Sequence, residues 1–298
     1  MALHQMRYFL DAVGFALARS LVAMPSMLPL FRFSLMASLL GTTAAFGQAA
    51  LTTGGAHYAI TQAGKPVGDA QFSAAPISGG KTLTSSGHLK LEKFAYSFSS
   101  TATVDAQFNL VHDQLSGSVH GAKASANNVQ FTTASDATGR SFQININTDG
   151  KLTSNAVDRH RNTVLAPDLD PAAYTLMTHI ALSHPQSAWV LIPKENGILV
   201  PAQYQPAADL NGTLNGQNIS VKHTIVALSD QNSIVIELFY TADAQLLEAD
   251  LNAQNFYVTR DGFKLLNRPK PVAPPHGQAP QQDTTTQPAT PQTQAPPQ

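Results

Sequence analysis

Glu237, within Ile234-Val-Ile-Glu-Leu-Phe-Tyr240, is a lone carboxylate in an otherwise apolar stretch of a 298-residue chain. Held in a cavity, such a group can act as general acid or base, and Asp105 is a second candidate for that work. The commoner fate of either is a strand-face side chain that reaches solvent. Asp168 and Asp170 flank Leu169 just ahead of a helical pattern, where capping and a favourable dipole contact account for both.

Ten histidines invite a metal or acid–base reading, but their spacing is poor. His179 and His184 are five apart, about 140° around a helix, and so cannot share a ligand face as an i, i+4 pair would. His160 stands between Arg159 and Arg161, which disfavours a cation beside it. His57, His88, His112 and His120 fall on separate predicted strands, so no metal site is expected. Ser78-Gly-Gly-Lys81 matches a Ser-x-x-Lys nucleophile in letters, yet it lies in a glycine turn instead of opening a helix. Gly-x-Ser-x-Gly, His-Glu-x-x-His, the phosphate-binding glycine loop and the dinucleotide fingerprint are all missing. No catalytic residue and no cofactor can be assigned.

Trp189, the sole tryptophan, sits in Ser187-Ala-Trp-Val-Leu-Ile-Pro193, and Tyr204 follows in the next extended run. The two are the candidate lining of a pocket for an apolar or sugar ligand; as ordinary residues they would be core aromatics.

The elements that must position these residues occupy only part of the chain. Residues 1–47 carry Arg7, Arg19 and Arg32 against Asp11, then the apolar run Phe33–Gly41, then small residues. That is the order of a secretory signal, with Ala45 and Gly47 at −3 and −1 and cleavage before Gln48, or alternatively after Ala49. The long basic region suggests that translation starts at Met24 or Met27. A periplasmic or secreted location is therefore expected. From Arg268 to Gln298 the chain holds nine of its 19 prolines and almost no large apolar residue, so it reads as a disordered Pro/Gln/Thr-rich tail.

Net charge is −1 from 18 basic and 19 acidic residues, with no basic run, which argues against nucleic acid as a partner. With no cysteine, a disulfide scaffold, a thiolate metal site, a cysteine nucleophile and an acylated cysteine are all excluded.

Between residues 48 and 267 the dominant period is two, the mark of strands with one buried face. Phe94/Tyr96/Phe98, Val104/Ala106/Phe108/Leu110, Phe142/Ile144/Ile146, Ile219/Val221/His223/Ile225 and Ile234/Ile236/Leu238/Tyr240 each predict an antiparallel strand. Turn signals at Ser78-Gly79-Gly80, Asp149-Gly150, Asn211-Gly212, Asn215-Gly216 and Asp261-Gly262 join them as hairpins. One helix is predicted over Pro171–His184, capped by Asp170, stopped by Pro185 and carrying a stripe of Ala173, Leu176, Met177, Ile180 and Ala181. The expected fold is mainly β: one domain with a single curved antiparallel sheet, meander-like, a half-barrel or barrel, and one covering α-helix.

Two stretches also resemble a known group. Tyr58–Gly68 with Asp69–Phe72, and Asp243–Asp250 with Phe256–Phe263, resemble the opening and closing strands of uncharacterised exported bacterial domains of unknown function. Those domains are similar in organisation to the periplasmic lipoprotein-carrier half-barrels. The resemblance implies a curved sheet lined with apolar residues, gives Gly64 and Gly68 backbone roles at a hairpin and a bulge, and carries over no catalytic residue. The functional expectation is a non-enzymatic module binding an apolar ligand such as a lipid or an acylated partner. An envelope structural or assembly protein that uses sheet edges and the tail is the alternative. A hydrolase built around Glu237 or a histidine is the third reading.

Overall fold

The computed structural model describes residues 54–92, 94–121, 128–135, 139–166, 169–185, 187–192, 197–228 and 234–270. The signal-like segment with Gly47 and Gln48, the alternative starts Met24 and Met27, Asp168 and the tail beyond Lys270 lie outside the described residues.

Among the described residues nine strands precede the helix: β1 (Gly54–Gln62), β2 (Lys65–Ile77), β3 (Gly80–Leu91), β4 (Phe94–Asp105), β5 (Leu110–Gly121), β6 (Asn128–Ser135), β7 (Ser141–Thr148), β8 (Lys151–Asp158) and β9 (Thr163–Leu165). After helix α1 (Pro171–Leu182) come β10 (Ala188–Ile192), β11 (Ile198–Pro206), β12 (Leu210–Leu214), β13 (Gln217–Leu228), β14 (Val235–Tyr240), β15 (Leu246–Leu251), β16 (Phe256–Arg260) and β17 (Phe263–Leu266).

The first eight strands form a meander by successive antiparallel pairing. It continues on the other side of β1 through β16, β15, β14, β13, β11 and β10. The short β9 then adds in parallel to β10. The result is one large curved sheet that does not close into a barrel. Local turn chemistry sets the meander: Gly64, Gly79, Gly150 and Gly216 take the positive φ that tight hairpins require. At the first hairpin the register shifts between Ile60 and Thr61, opposite Gly68 and Pro66, a bulge beside Gly68.

Strand β13 changes partners along its length. Its first half pairs with β12 and its second with β11, while β17 pairs with β12 to complete a two-stranded ribbon. This ribbon brings Phe263 onto Val221, Phe239 and Leu247 as a small second core on the outer face of β13–β15. The inner face of β14 and β15 meets α1. With both faces covered, every residue of β14 and β15 is buried, which explains runs of apolar residues where period two is lost.

Helix α1 covers the sheet as expected, and its burial extends beyond the one apolar stripe. Every residue from Pro171 to Ala181 is buried, and the helix packs against β2, β3, β4, β9, β14 and β15. It lies in the hollow of the sheet, where a helix needs apolar or hydrogen-bonded side chains all round. Asp170 caps it as expected, accepting from the Ala172 N–H at 2.8 Å. The helix ends at Leu182, two residues short of the predicted end, with Ser183 closing the last turn.

Three further local expectations are corrected. Val104–Leu110 is not one strand but the β4–β5 hairpin, because the Asp105 carboxylate accepts from the Gln107 and Asn109 N–H groups at 2.9 and 2.8 Å and folds the chain back. Asn211-Gly212 lies inside β12 and is not a turn; a Cβ at Gly212 would come within 2.8 Å of the Phe263 ring, so glycine is there for close packing. In β13 burial passes from one face to the other: Val221 and His223 are buried under the ribbon, whereas Thr224, Val226 and Leu228 are buried on the inner face.

Candidate functional site

The inner face of the sheet is mostly apolar, but pairing places several polar residues together on it. Ser85 on β3 is directly opposite Ser100 on β4, and Asp113 on β5 is directly opposite Thr133 on β6. All four are buried. The N-terminus of α1 arrives above them, where the Ser85 hydroxyl donates to the Asp170 carboxylate, which also accepts from Ser100. Asp113 and Asp170 are close enough to repel. Burial, then the Asp170 charge, pushes the Asp113 carboxyl well above the ordinary range, and burial raises Asp170 despite its hydrogen bonds.

Five buried polar atoms of this interior have no hydrogen-bond partner among the described residues: Asp113 Oδ1, Thr133 Oγ1, Thr175 Oγ1, His179 Nε2 and the Tyr204 hydroxyl. Thr175 and His179 are one turn apart on α1, and Tyr204 lies on β11, packed against the main core. The His179 ring stacks on Phe108 of the β4–β5 hairpin. Burial lowers the His179 pKa to about 4, with Lys81 acting in the same direction and Asp243 opposing. Burial also pushes the Tyr204 hydroxyl up.

A second polar cluster lies on the outer face. The pairing Glu237–Asp250, Phe239–Glu248 and His223–Phe239 puts all of these side chains on one side of the sheet. Glu237, 2% exposed, has one oxygen 3.0 Å from His223 Nε2, and Asn252 Nδ2 donates to the other at 2.6 Å. Glu237 therefore does not reach solvent. The His223 ring lies on Phe239 at 4.6 Å. Glu248 accepts from the Thr259 hydroxyl at 2.8 Å, and Arg268 donates to both Glu248 and Asp250. Burial, followed by Glu248, raises Asp250 to about 9, against the pull of Arg268.

The structure does not bring Trp189 and Tyr204 together. Trp189 is opposite Pro201, while Tyr204 is three residues farther along β11, an odd offset that turns it to the other face. Trp189 is half-buried and stacks on His160 at 4.3 Å. Tyr204 faces the core with Val226 as its pairing partner. Asp105 is occupied in its turn, and the Lys81 ammonium sits over Phe108, 5.3 Å from the centroid. His112 and His120 share β5 instead of lying on separate strands. His88 meets the exposed Asp69 at 3.5 Å. Among the described residues no group of three or more histidine, cysteine or acidic side chains is placed to hold a metal ion.

Sequence reading missed Asp113, Thr133, Glu248 and Arg268. Asp113 follows the hairpin misread as strand, and its alternation with Leu115 was the available signal. Arg268 was counted into the tail, yet its side chain is bound to the body.

No family model matches the chain, and no curated protein matches it. Among solved structures, it is similar to a beta-barrel-like protein of domain of unknown function DUF1849 from Brucella abortus, with 8% identity and a TM-score of 0.49 over 72% of this chain and 98% of that one. It is also similar to a DUF1089 family protein from Pseudomonas aeruginosa, with 12% identity and a TM-score of 0.36 over 60% of this chain and 87% of that one.

Proposed function

We propose that the protein is a non-enzymatic, exported module that binds an apolar ligand with a polar end, a lipid or an acylated partner, on the inner face of its curved sheet. The observation carrying this reading is a set of five interior polar atoms unpartnered among the described residues: two on α1, two at the facing Asp113–Thr133 pair and one on β11. A buried polar atom left without a partner costs about 1–3 kcal/mol, so five in one interior favour a site that receives a polar group from outside. The surrounding side chains, among them Phe131, Ile144 and Met177, suit the apolar part of such a ligand. The ligand then lies beside α1, which already covers the hollow.

The test is native mass spectrometry of the full-length chain, expressed for export and purified without detergent, followed by displacement of a fluorescent fatty acid. A lipid-sized adduct that the probe displaces is expected. A bare mass together with no probe binding would overturn the proposal.

A second reading, assembly through a sheet edge, is favoured by β8. Its partner among the described residues is β7, nearly all of its residues are exposed, and Leu152 is 65% exposed. Replacing Ser154 by proline should abolish partner recovery in pull-downs if that edge is used; unchanged recovery counts against it.

A further inference from the structure

Glu248 and Asp250 sit two residues apart on β15, so both carboxylates project from the same face, and the sheet holds them there independently of Arg268. Their side chains are 4% and 3% exposed, whereas that of Arg268 is 40% exposed. The guanidinium thus enters from the outside a site that the strands have already built. One of its nitrogens donates to Glu248 Oε1 and another to Asp250 Oδ2. Its Cζ lies 5.7 Å from the Phe239 ring centroid and 5.6 Å from that of Tyr257. Two acceptors and two aromatic rings around a planar cation are the recognition set for a guanidinium, which forks and stacks as an ammonium does not.

The site is not exhausted by Arg268. Glu248 is shared with Thr259, and Glu237, paired opposite Asp250, is held by His223 and Asn252, but Asp250 Oδ1 is buried without a partner among the described residues. Burial, then the neighbouring Glu248, raises the Asp250 carboxyl even with Arg268 in place. Arg268 follows β17 and precedes Pro269, so its side chain can leave without breaking a strand pair.

We infer that the cleft formed by Glu248, Asp250, Phe239 and Tyr257 is a binding site for a guanidinium group, filled in cis by Arg268, so that the chain after β17 and an arginine-bearing ligand compete for it. This site lies on the opposite face of the sheet from the proposed apolar-ligand site and does not depend on it.

The experiment compares the full-length wild type with Arg268→Ala by calorimetric titration and thermal melts. The probes are Nα-acetylarginine amide, Nα-acetyllysine amide and a peptide copying the chain's own residues 265–270. Both arginine probes are expected to bind Arg268→Ala one to one, at least ten-fold more tightly than they bind wild type, and to restore part of its lost melting temperature. The lysine probe should do neither. Tighter binding by the peptide assigns the site to a protein partner; equal binding by the two arginine probes assigns it to a small guanidinium ligand. If Arg268→Ala does not fold, Arg268→Lys, which keeps the charge but loses the fork, should still show the preference for arginine over lysine. Equal binding by wild type and variant, or no binding to a folded variant, would overturn the inference.

Discussion

The His179 imidazole on α1 lies flat against the Phe108 ring of the β4–β5 hairpin, with 4.0 Å between centroids and 10° between planes. Its pKa is lowered to about 4 by burial and by Lys81, with Asp243 opposing. The unfolded chain takes up a proton near pH 6.5, the folded one only near 4. Stability associated with this residue is therefore intact above about pH 6.5 and is lost progressively as pH falls towards 4. His179→Phe keeps the stacking and removes the titration. Between pH 7 and pH 5 the wild type should lose about 1–2 kcal/mol more than the variant in urea unfolding. Parallel pH profiles would show that His179 is not the group responsible.

Asp113 gives a dependence of opposite sign. Burial and the Asp170 charge raise its folded carboxyl well above 3.8, so the folded protein keeps a proton that the unfolded chain releases. The associated stability is present at low pH and is lost as pH rises above the unfolded value towards the folded one. Asp113→Asn removes this ionisation while keeping shape and polarity. The variant should gain on wild type as pH rises from 4 to 8, by about 1–3 kcal/mol, and melts at several pH values read the gain directly. A constant difference between the two proteins would mean that the cost is packing and not charge.

These two residues show where sequence reading stops. The period-two strands, the glycine turns and the Asp170 cap are local signals, and they predict the curved antiparallel sheet and its one helix. The apolar stripe of the helix is visible in sequence, whereas burial of Thr175, Thr178 and His179 depends on strands far away in the chain. Thr178 is accommodated by donating to the carbonyls of Thr175 and Ala244, the latter 66 residues away. Glu237 was visible as an isolated acid, but its partner His223 is fixed by the β13–β14 register, and Asn252 lies beyond the next strand. Asp113 and Asp170 are brought together only when α1 enters the hollow. Trp189 and Tyr204 were grouped by closeness in sequence, and an odd offset along β11 separates them.

Gly212 tests the seal on the outer face. A Cβ there would meet Phe263 Cε2 at 2.8 Å, Val221 Cγ2 at 3.0 Å and the Lys264 carbonyl oxygen at 3.1 Å. Phe263 has to move, and with it the ribbon of β12 and β17. Gly212→Ala should destabilise by about 1–3 kcal/mol, the usual cost of overpacking. Hydrogen exchange should show the loss in β12, β13 and β17 before it reaches β3–β5. Uniform loss across the sheet would mean that the ribbon is not a separable unit.

Glu237 separates the binding reading from the hydrolase reading. Both of its oxygens are engaged, by His223 at 3.0 Å and Asn252 at 2.6 Å, and it faces the ribbon instead of α1. If the protein binds its ligand on the inner face, Glu237→Gln should leave the adduct seen by native mass spectrometry unchanged. It should still lower stability by about 1–3 kcal/mol, since a charged acceptor in a buried network is replaced by a neutral amide. A catalytic Glu237 predicts the reverse pattern: hydrolysis of ester or amide probes by the wild type, lost by at least a hundred-fold in the variant at unchanged probe affinity. Measuring probe turnover and adduct retention on the same two proteins decides between them, because the two faces of the sheet make these outcomes independent.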